Sequence, residues 1–188
     1  MQAADAAARP PVADAVGVLR DGTPYRVRPL QRSERQTLVE GFDRLSAESR
    51  YRRFLAPVST LSVRMLHKLV DHVDGVDHVA LVLDVHPGSR REEPVAIARF
   101  IRDRAVAEQA EYAITVVDRW HGRGAGTALS DALVGRALEL GVRRFTADVH
   151  AQNRPSLRLL ARAGDVISQE SDGAGVLEMT VRLKPPPG

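Results

Sequence analysis

The passage from "EYAITVV" into "DRWHGRGAGTALSDALVGRALELG" constrains the fold more than any other stretch. A short run rich in β-branched and aromatic residues crosses glycines at 122, 124 and 126 and enters a segment with Leu129, Leu133, Leu138 and Leu140 near helical spacing. Glycine inside a helix costs about 1 kcal/mol relative to alanine. Three in five residues therefore mark backbone that must turn sharply or be approached closely. A strand feeding a long helix through such a loop commits the chain to an α/β architecture. It also leaves the first N–H groups of the helix unpartnered at the positive end of the helix dipole, which makes the loop an anion cradle.

The flanking segments fill in the order. "PYRVRPL" alternates Tyr25, Val27 and Pro29 against Arg26 and Arg28, the pattern of an amphipathic strand. Ser33 and Gln36 form a capping box ahead of Leu38, Val39, Phe42 and Leu45 at helical spacing. "SAESRYRRFL" is a second helix stopped by Pro57, and "STLSVRMLHKLV" a third with Leu66, Leu69 and Val70 inward. "DHVALVLDV" is a buried strand, and "PVAIARFI" pairs with it across a polar turn. "VRRFTADVH" is a further strand, and Asn153 caps a helix with Pro155 in its first turn and Gly164 just past its end. "DVISQE" and "GVLEMTVRL" form a terminal strand pair. Residues 1–20, rich in Ala, Pro and Asp, read as a disordered tail, 21–184 as one domain, and 185–188 as a short C-terminal tail.

Composition removes several functions. The 188 residues include no cysteine, so disulfides, thiolate metal sites and thiol nucleophiles are out. His67, His72, His78 and His86 lack the spacing of a ligand set, and no metal site is expected. Aromatics make up 4% and the basic residues are spread along the chain, so nucleic-acid binding is not expected despite a net charge of +3. No apolar run spans a bilayer and the start lacks a secretory pattern, which makes a cytoplasmic protein without membrane attachment the expectation. Nothing in the sequence reports an oligomeric state.

The cradle fails two familiar tests. A Walker A loop ends in Gly-Lys-Ser/Thr, whereas this loop ends in Gly126-Thr127. The dinucleotide fingerprint needs a glycine where Thr127 stands. With His121, Gly124 and Gly126, the loop instead resembles the Q/R-x-x-G-x-G/A pyrophosphate loop of the GNAT acetyltransferase superfamily, His121 departing from the usual Gln or Arg. "DVHAQNRPSLRLLARAG" is similar to the family's later segment, in which an asparagine opens a helix beside the coenzyme. The resemblance covers roughly residues 22–184. The opening "DGTPYRVRPLQRSERQTLVEGFDRLSAESRYRRFLAP" resembles the GNAT domain of bacterial protein-lysine acetyltransferases. Those relatives often carry a cyclic-nucleotide or acyl-CoA synthetase-like module, which this chain is not expected to hold.

The resemblance implies a GNAT fold, with a mixed, mostly antiparallel sheet flanked by helices. It also implies acetyl-CoA as acyl donor and a primary amine as acceptor, on a protein lysine or a small molecule. The family's A-E-x-A pattern falls on "AEYA", which makes Glu111 the general base for an ammonium whose free pKa is near 10.4. Glu108, three residues earlier, is the rival. Ile114, Thr115 and Val116 border the coenzyme, with the backbone of Thr115 or Val116 freed by a family β-bulge as oxyanion donor. His121, Gly122, Arg123, Gly124, Ala125, Gly126 and Thr127 would hold the pyrophosphate, Arg123 adding charge or pointing to solvent. Asn153 lies beside the pantetheine arm or is a plain N-cap. Arg50, Arg52 and Arg53 form a solvated helix face or border the acceptor cleft. Many members place a tyrosine seven residues after the asparagine as general acid. Leu160 stands there, which leaves Tyr51, Tyr112 or water. That substitution keeps open a second reading, an acyl-CoA-binding module without turnover.

Overall fold

The computed structural model describes residues 15–186, and the remainder of both expected tails lies outside them. Eight strands form one sheet in the order β1-β2-β3-β4-β5-β6-β8-β7. They are β1 (Ala15–Val18), β2 (Pro24–Pro29), β3 (His78–Val85), β4 (Glu93–Arg102), β5 (Gln109–Val116), β6 (Arg144–His150), β7 (Gly164–Ser171) and β8 (Val176–Leu183). Helices α1 (Arg35–Asp43), α2 (Ala47–Phe54) and α3 (Val63–Leu66) join β2 to β3. Helix α4 (Ala125–Glu139) joins β5 to β6, and α5 (Arg154–Ala163) joins β6 to β7.

Strand β3 is buried along its whole length because both faces of the sheet are covered. Val79, Leu81, Leu83 and Val85 pack in the larger core with Leu129 and Leu133 of α4 and Leu160 of α5. Ala80 and Val82 turn to the other face, where Leu38 of α1 packs with Leu69 and Val70. Leu129 and Leu133 have no exposed surface. Each contributes about 1.5–3 kcal/mol to anchoring α4, and with it the loop at its N-terminus.

Every strand pair is antiparallel except β5 with β6, the pair that the α4 crossover connects. That parallel ladder is short, running only from Gln109↔Arg144 to Glu111↔Thr146. Beyond it β5 continues to Val116, while β6 stays paired to β8 as far as His150↔Val176. The two strands therefore splay, and a notch opens between them directly ahead of α4.

Two local expectations change. The tail expected over 1–20 is shorter, since Ala15–Val18 pair with β2 as an edge strand. Val16 and Val18 remain 74% and 65% exposed, so the strand leaves no burial pattern to read. The Ser33/Gln36 capping box does not form, because α1 begins at Arg35 behind Glu34. The Glu34 carboxylate instead accepts from the Gln31 N–H at 2.7 Å and pairs with Arg28. Gly164 stands just past the end of α5, as expected. It opens β7, where a Cβ would lie 1.9 Å from the Arg182 carbonyl oxygen.

Candidate active site

A cleft of about 580 Å³ fills the notch and reaches the start of α4. It brings together most of the residues expected from sequence. Glu111 through Val116 form one wall, His121, Gly122, Gly124, Gly126 and Thr127 lie at one end, and Asn153 lines another side.

The loop has the geometry of a cradle. Gly122 and Gly124 adopt φ of +73° and +100°, values that a Cβ disfavours. Gly124 is the N-cap of α4 and provides no side-chain hydrogen bond. The Ala128 N–H donates to the Gly124 carbonyl at 3.0 Å, so the N–H groups of Ala125, Gly126 and Thr127 precede the first full turn and have no carbonyl beneath them. Gly126 carries no Cβ where one would meet Leu159 and Val116 at 3.4 and 3.5 Å. Ala125, also expected at the site, is buried in the core and does not line the cleft.

The end of β5 supplies donors by a route other than the expected bulge. Its ladder with β4 runs without a register shift from Ala96↔Val116 to Arg102↔Ala110. The Asp103 N–H donates to the Gln109 carbonyl at one end, and the Val117 N–H to the Val95 carbonyl at the other. Odd-numbered residues therefore turn their backbone groups to β4, and even-numbered ones turn theirs toward β6. Thr115 is thus removed as an oxyanion donor, and Ile114 and Val116 face the notch that the splay leaves open. The His121 ring turns to the end of β5. Its Nε2 lies 2.8 Å from the Val116 carbonyl, which only accepts, so Nε2 carries the proton.

Glu111 is exposed at the last β5–β6 rung, with its carboxylate toward the cleft. Arg53 of α2 is its charged neighbour. Burial pulls the Arg53 guanidinium below its ordinary value, and the Glu111 carboxylate offsets part of that. Glu108 is elsewhere. It is exposed before β5, and its carbonyl accepts from the N–H groups of Arg143 and Arg144 at the closed end of the strand pair.

Three other expectations sort out. Arg123 turns away from the cradle, its guanidinium held by Asp21 at 3.0 Å and stacked 4.8 Å above Trp120. Arg20, which no local pattern singled out, takes that place. Its N–H donates to the Arg123 carbonyl at 3.1 Å, and its stem lies 3.4 Å from where a Gly124 Cβ would sit. Asn153 does cap α5, accepting from the Ser156 N–H at 3.3 Å through Oδ1, and it still lines the cleft. Tyr112 is removed as general acid: its hydroxyl donates to Ser130 Oγ at 3.0 Å inside the core, and burial raises its pKa. Leu160, 1% exposed, is a core residue at the cleft floor.

The fit to a nucleotide-bearing thioester rests on charge and free donors. Five arginines line the cleft, Arg20, Arg52, Arg53, Arg158 and Arg162, against the acids Glu111 and Asp148. Arg52 and Arg162 are paired with Glu48 and Asp131. The Trp120 Nε1–H, also on the wall, is buried without a partner among the described residues. Asp118 fixes α2 over the loop, accepting from the Ser46 N–H and from the hydroxyls of Ser46 and Ser49 at 2.7–3.0 Å.

An α/β sheet splayed beside a glycine-rich helix start defines the GNAT architecture, and residues 50–165 match the Acetyltransferase (GNAT) family. The chain belongs to that family. It is 32% identical over 163 residues to Acetyltransferase Pat of Mycolicibacterium smegmatis, covering 87% of this chain and 47% of that protein. It is 31% identical over 156 residues to Acetyltransferase PA5475 of Pseudomonas aeruginosa, covering 82% and 81%. The crystal structure of the GNAT domain of S. lividans PAT superposes with a TM-score of 0.80 at 33% identity, over 94% of this chain and all of that one. The chain therefore spans about half the length of the Pat relative. Among the described residues no helix is long and apolar enough to cross a membrane, and no cluster of three metal-ligating side chains occurs.

Proposed function

We propose that this chain is an acetyl-CoA-dependent N-acetyltransferase acting on a primary amine. The observation that carries the reading is the notch between β5 and β6, opening at Glu111 and leading to the uncapped start of α4. Acetyl-CoA would supply an activated thioester. The N–H groups of Ala125, Gly126 and Thr127, with Arg20 beside them, would hold its pyrophosphate. Asn153 and the Ile114–Val116 edge would border the pantetheine arm. The N–H groups of Ile114 and Val116 offer donors for the charge that develops on the carbonyl oxygen. Glu111 accepts the proton of the incoming ammonium, directly or through water, so that the free amine forms the new C–N bond as the C–S bond breaks. With Tyr112 held in the core, the departing thiolate takes its proton from Tyr51 or water, or leaves as the anion.

The test is calorimetric titration with acetyl-CoA, followed by thiol release over amines that include lysine peptides, polyamines and amino acids. Saturable binding and acceptor-dependent thiol release are expected. Absence of binding overturns the proposal. Binding without release from any acceptor favours an acyl-CoA-binding module, the reading that Leu160 in place of a tyrosine supports.

A further inference from the structure

A second, smaller chamber of about 80 Å³ lies on the opposite face of the sheet from α4, beneath α1 and α2. Arg53, Phe54, Ala113 and Thr115 line both it and the large cleft, so the two adjoin at the small side chains of β5, beside Glu111. Its walls are apolar, built from Leu38, Phe42, Phe54, Leu69, Val82 and Ile97. Its volume corresponds to roughly five to eight water-sized groups.

Its charge is one-sided. Arg44, Arg53 and Arg99 line it, and no aspartate or glutamate does. Arg44 is already engaged, with Glu93 at 3.3 Å and the Pro94 carbonyl at 2.7 Å. Arg99 is only 4% exposed and meets no carboxylate among the described residues. Its Nη1 is 2.7 Å from the Leu69 carbonyl, within the π turn His67–Asp71 that continues α3, and 3.2 Å from His78 Nε2. Neither partner brings negative charge, and burial beside Arg99 keeps His78 neutral, with its pKa lowered to about 4. Arg53 has no carboxylate within 4.0 Å among the described residues, though Glu111 acts on it from farther off. Burial and the Arg53 charge together pull Arg99 down to about 9, so its guanidinium remains charged at neutral pH. Buried cations are retained where an opposite charge meets them. Among the described residues buried Arg99 meets none and the less buried Arg53 has only the more distant Glu111, and the place beside them opens toward the acceptor side of the site.

We propose that the chamber receives a carboxylate of the acceptor, held between Arg53 and Arg99, and that the acceptor is a small amine bearing a carboxylate on a short apolar stem, of the amino-acid class. The assignment rests on the acetyltransferase reading for the identity of the bound amine. The carboxylate site itself is testable without turnover. With the carboxylate against Arg53 and Arg99, the amine of a compact amino acid reaches Glu111 at the junction of the two cavities. A guanidinium that hydrogen-bonds a carboxylate also rejects the analogue lacking it, because the cation is then left buried and unpaired.

Two measurements on the full chain decide the matter. The first is calorimetry with 4-methylpentanoate and its neutral isostere 4-methylpentanamide. The acid is expected to bind about 10- to 100-fold more tightly, the usual worth of a hydrogen bond to a charged group. Arg99→Gln and the half-exposed Arg53→Gln are expected to reduce that ratio to near unity, and Arg99→Lys to keep part of it. Equal binding of acid and amide by the wild-type chain overturns the proposal, as does a preference that survives in both Gln variants. The second is thiol release with leucine, isoamylamine and a lysine peptide lacking acidic residues. Leucine is expected to exceed the other two in kcat/KM, with the loss in Arg53→Gln falling on KM. Equal or better turnover of isoamylamine or the peptide overturns it. If acetyl-CoA binding or all turnover is absent, the acetyltransferase reading fails, and the calorimetric ratio alone still decides the carboxylate site. Arg99→Gln, which lies outside the large cleft, must retain wild-type acetyl-CoA affinity, and both Gln variants must keep a cooperative thermal melt, which separates loss of the chamber from loss of the fold.

Discussion

Replacing Gly124 with alanine probes the cradle most cleanly. The residue sits at φ +100°, and a Cβ there would lie 3.4 Å from Cγ of Arg20. The contact is tolerable, but the backbone conformation costs an L-residue about 1–2 kcal/mol. In a chain of this length that lowers Tm by about 2–8 °C. A methyl group would also stand over N–H groups that must come within hydrogen-bond range of an anion, so acetyl-CoA affinity should fall at least tenfold, about 1.4 kcal/mol. Gly141 separates the two effects. It has a comparable φ of +81° at the other end of α4, with nothing within 4 Å of its added Cβ. Gly141→Ala should therefore lower Tm by a similar amount and leave coenzyme affinity unchanged. Thermal melts and calorimetry on both variants make the comparison. If Gly124→Ala binds acetyl-CoA as wild type does, or if both variants lose affinity equally, the loop is not the cradle.

Arg20→Ala should weaken acetyl-CoA binding about 3- to 10-fold, more at low salt than at high salt. Arg123→Ala should weaken it less, because Asp21 and Trp120 already hold that side chain; the reverse ranking in titrations at two salt concentrations would restore Arg123 to the site. His78 has a folded pKa of about 4 against 6.5 for a free histidine, so between those values the unfolded chain binds a proton that the folded chain refuses. This contribution to stability is intact above pH 6.5 and declines toward pH 4 by up to about 1.4 kcal/mol per unit. His78→Gln should flatten that part of the denaturant-derived pH profile, and an unchanged slope would assign it to another group. Tyr112→Phe should cost about 1 kcal/mol through loss of the hydrogen bond to Ser130, with kcat within twofold of wild type. A loss of tenfold or more in kcat would return the phenol to the list of acids.

The chain order, the crossover helix and the glycine cradle were legible because each rests on local pattern. The alternation of "EYAITVV" sets Ala113 and Thr115 on the face opposite Tyr112, and the structure has Ala113 and Thr115 on the small chamber and Tyr112 in the larger core. What sequence missed depends on distant contacts. Arg20 meets the cradle across about a hundred residues, and Arg99 and Arg53 come together only when β4 and α2 pack on β5. The oxyanion candidates changed for the same reason. Which N–H groups are free depends on where β6 leaves β5, and no single strand encodes that. The Ser33/Gln36 box gave way to Glu34 because the Arg28 guanidinium, on a neighbouring strand, draws that carboxylate to the start of the helix.

The central claim, that Glu111 deprotonates an amine poised at the β5–β6 notch, is tested most directly by the pH–rate profile of Glu111→Gln with the best acceptor found. At neutral pH its turnover should fall by about 10²–10⁴, the worth of a positioned base. The deficit should shrink as pH approaches the acceptor's own pKa, where solution supplies the free amine. Acetyl-CoA affinity should be unchanged, and Glu108→Gln should follow the wild-type profile. Full neutral-pH activity in Glu111→Gln would contradict the assignment, and its loss in Glu108→Gln instead would move the base to that residue.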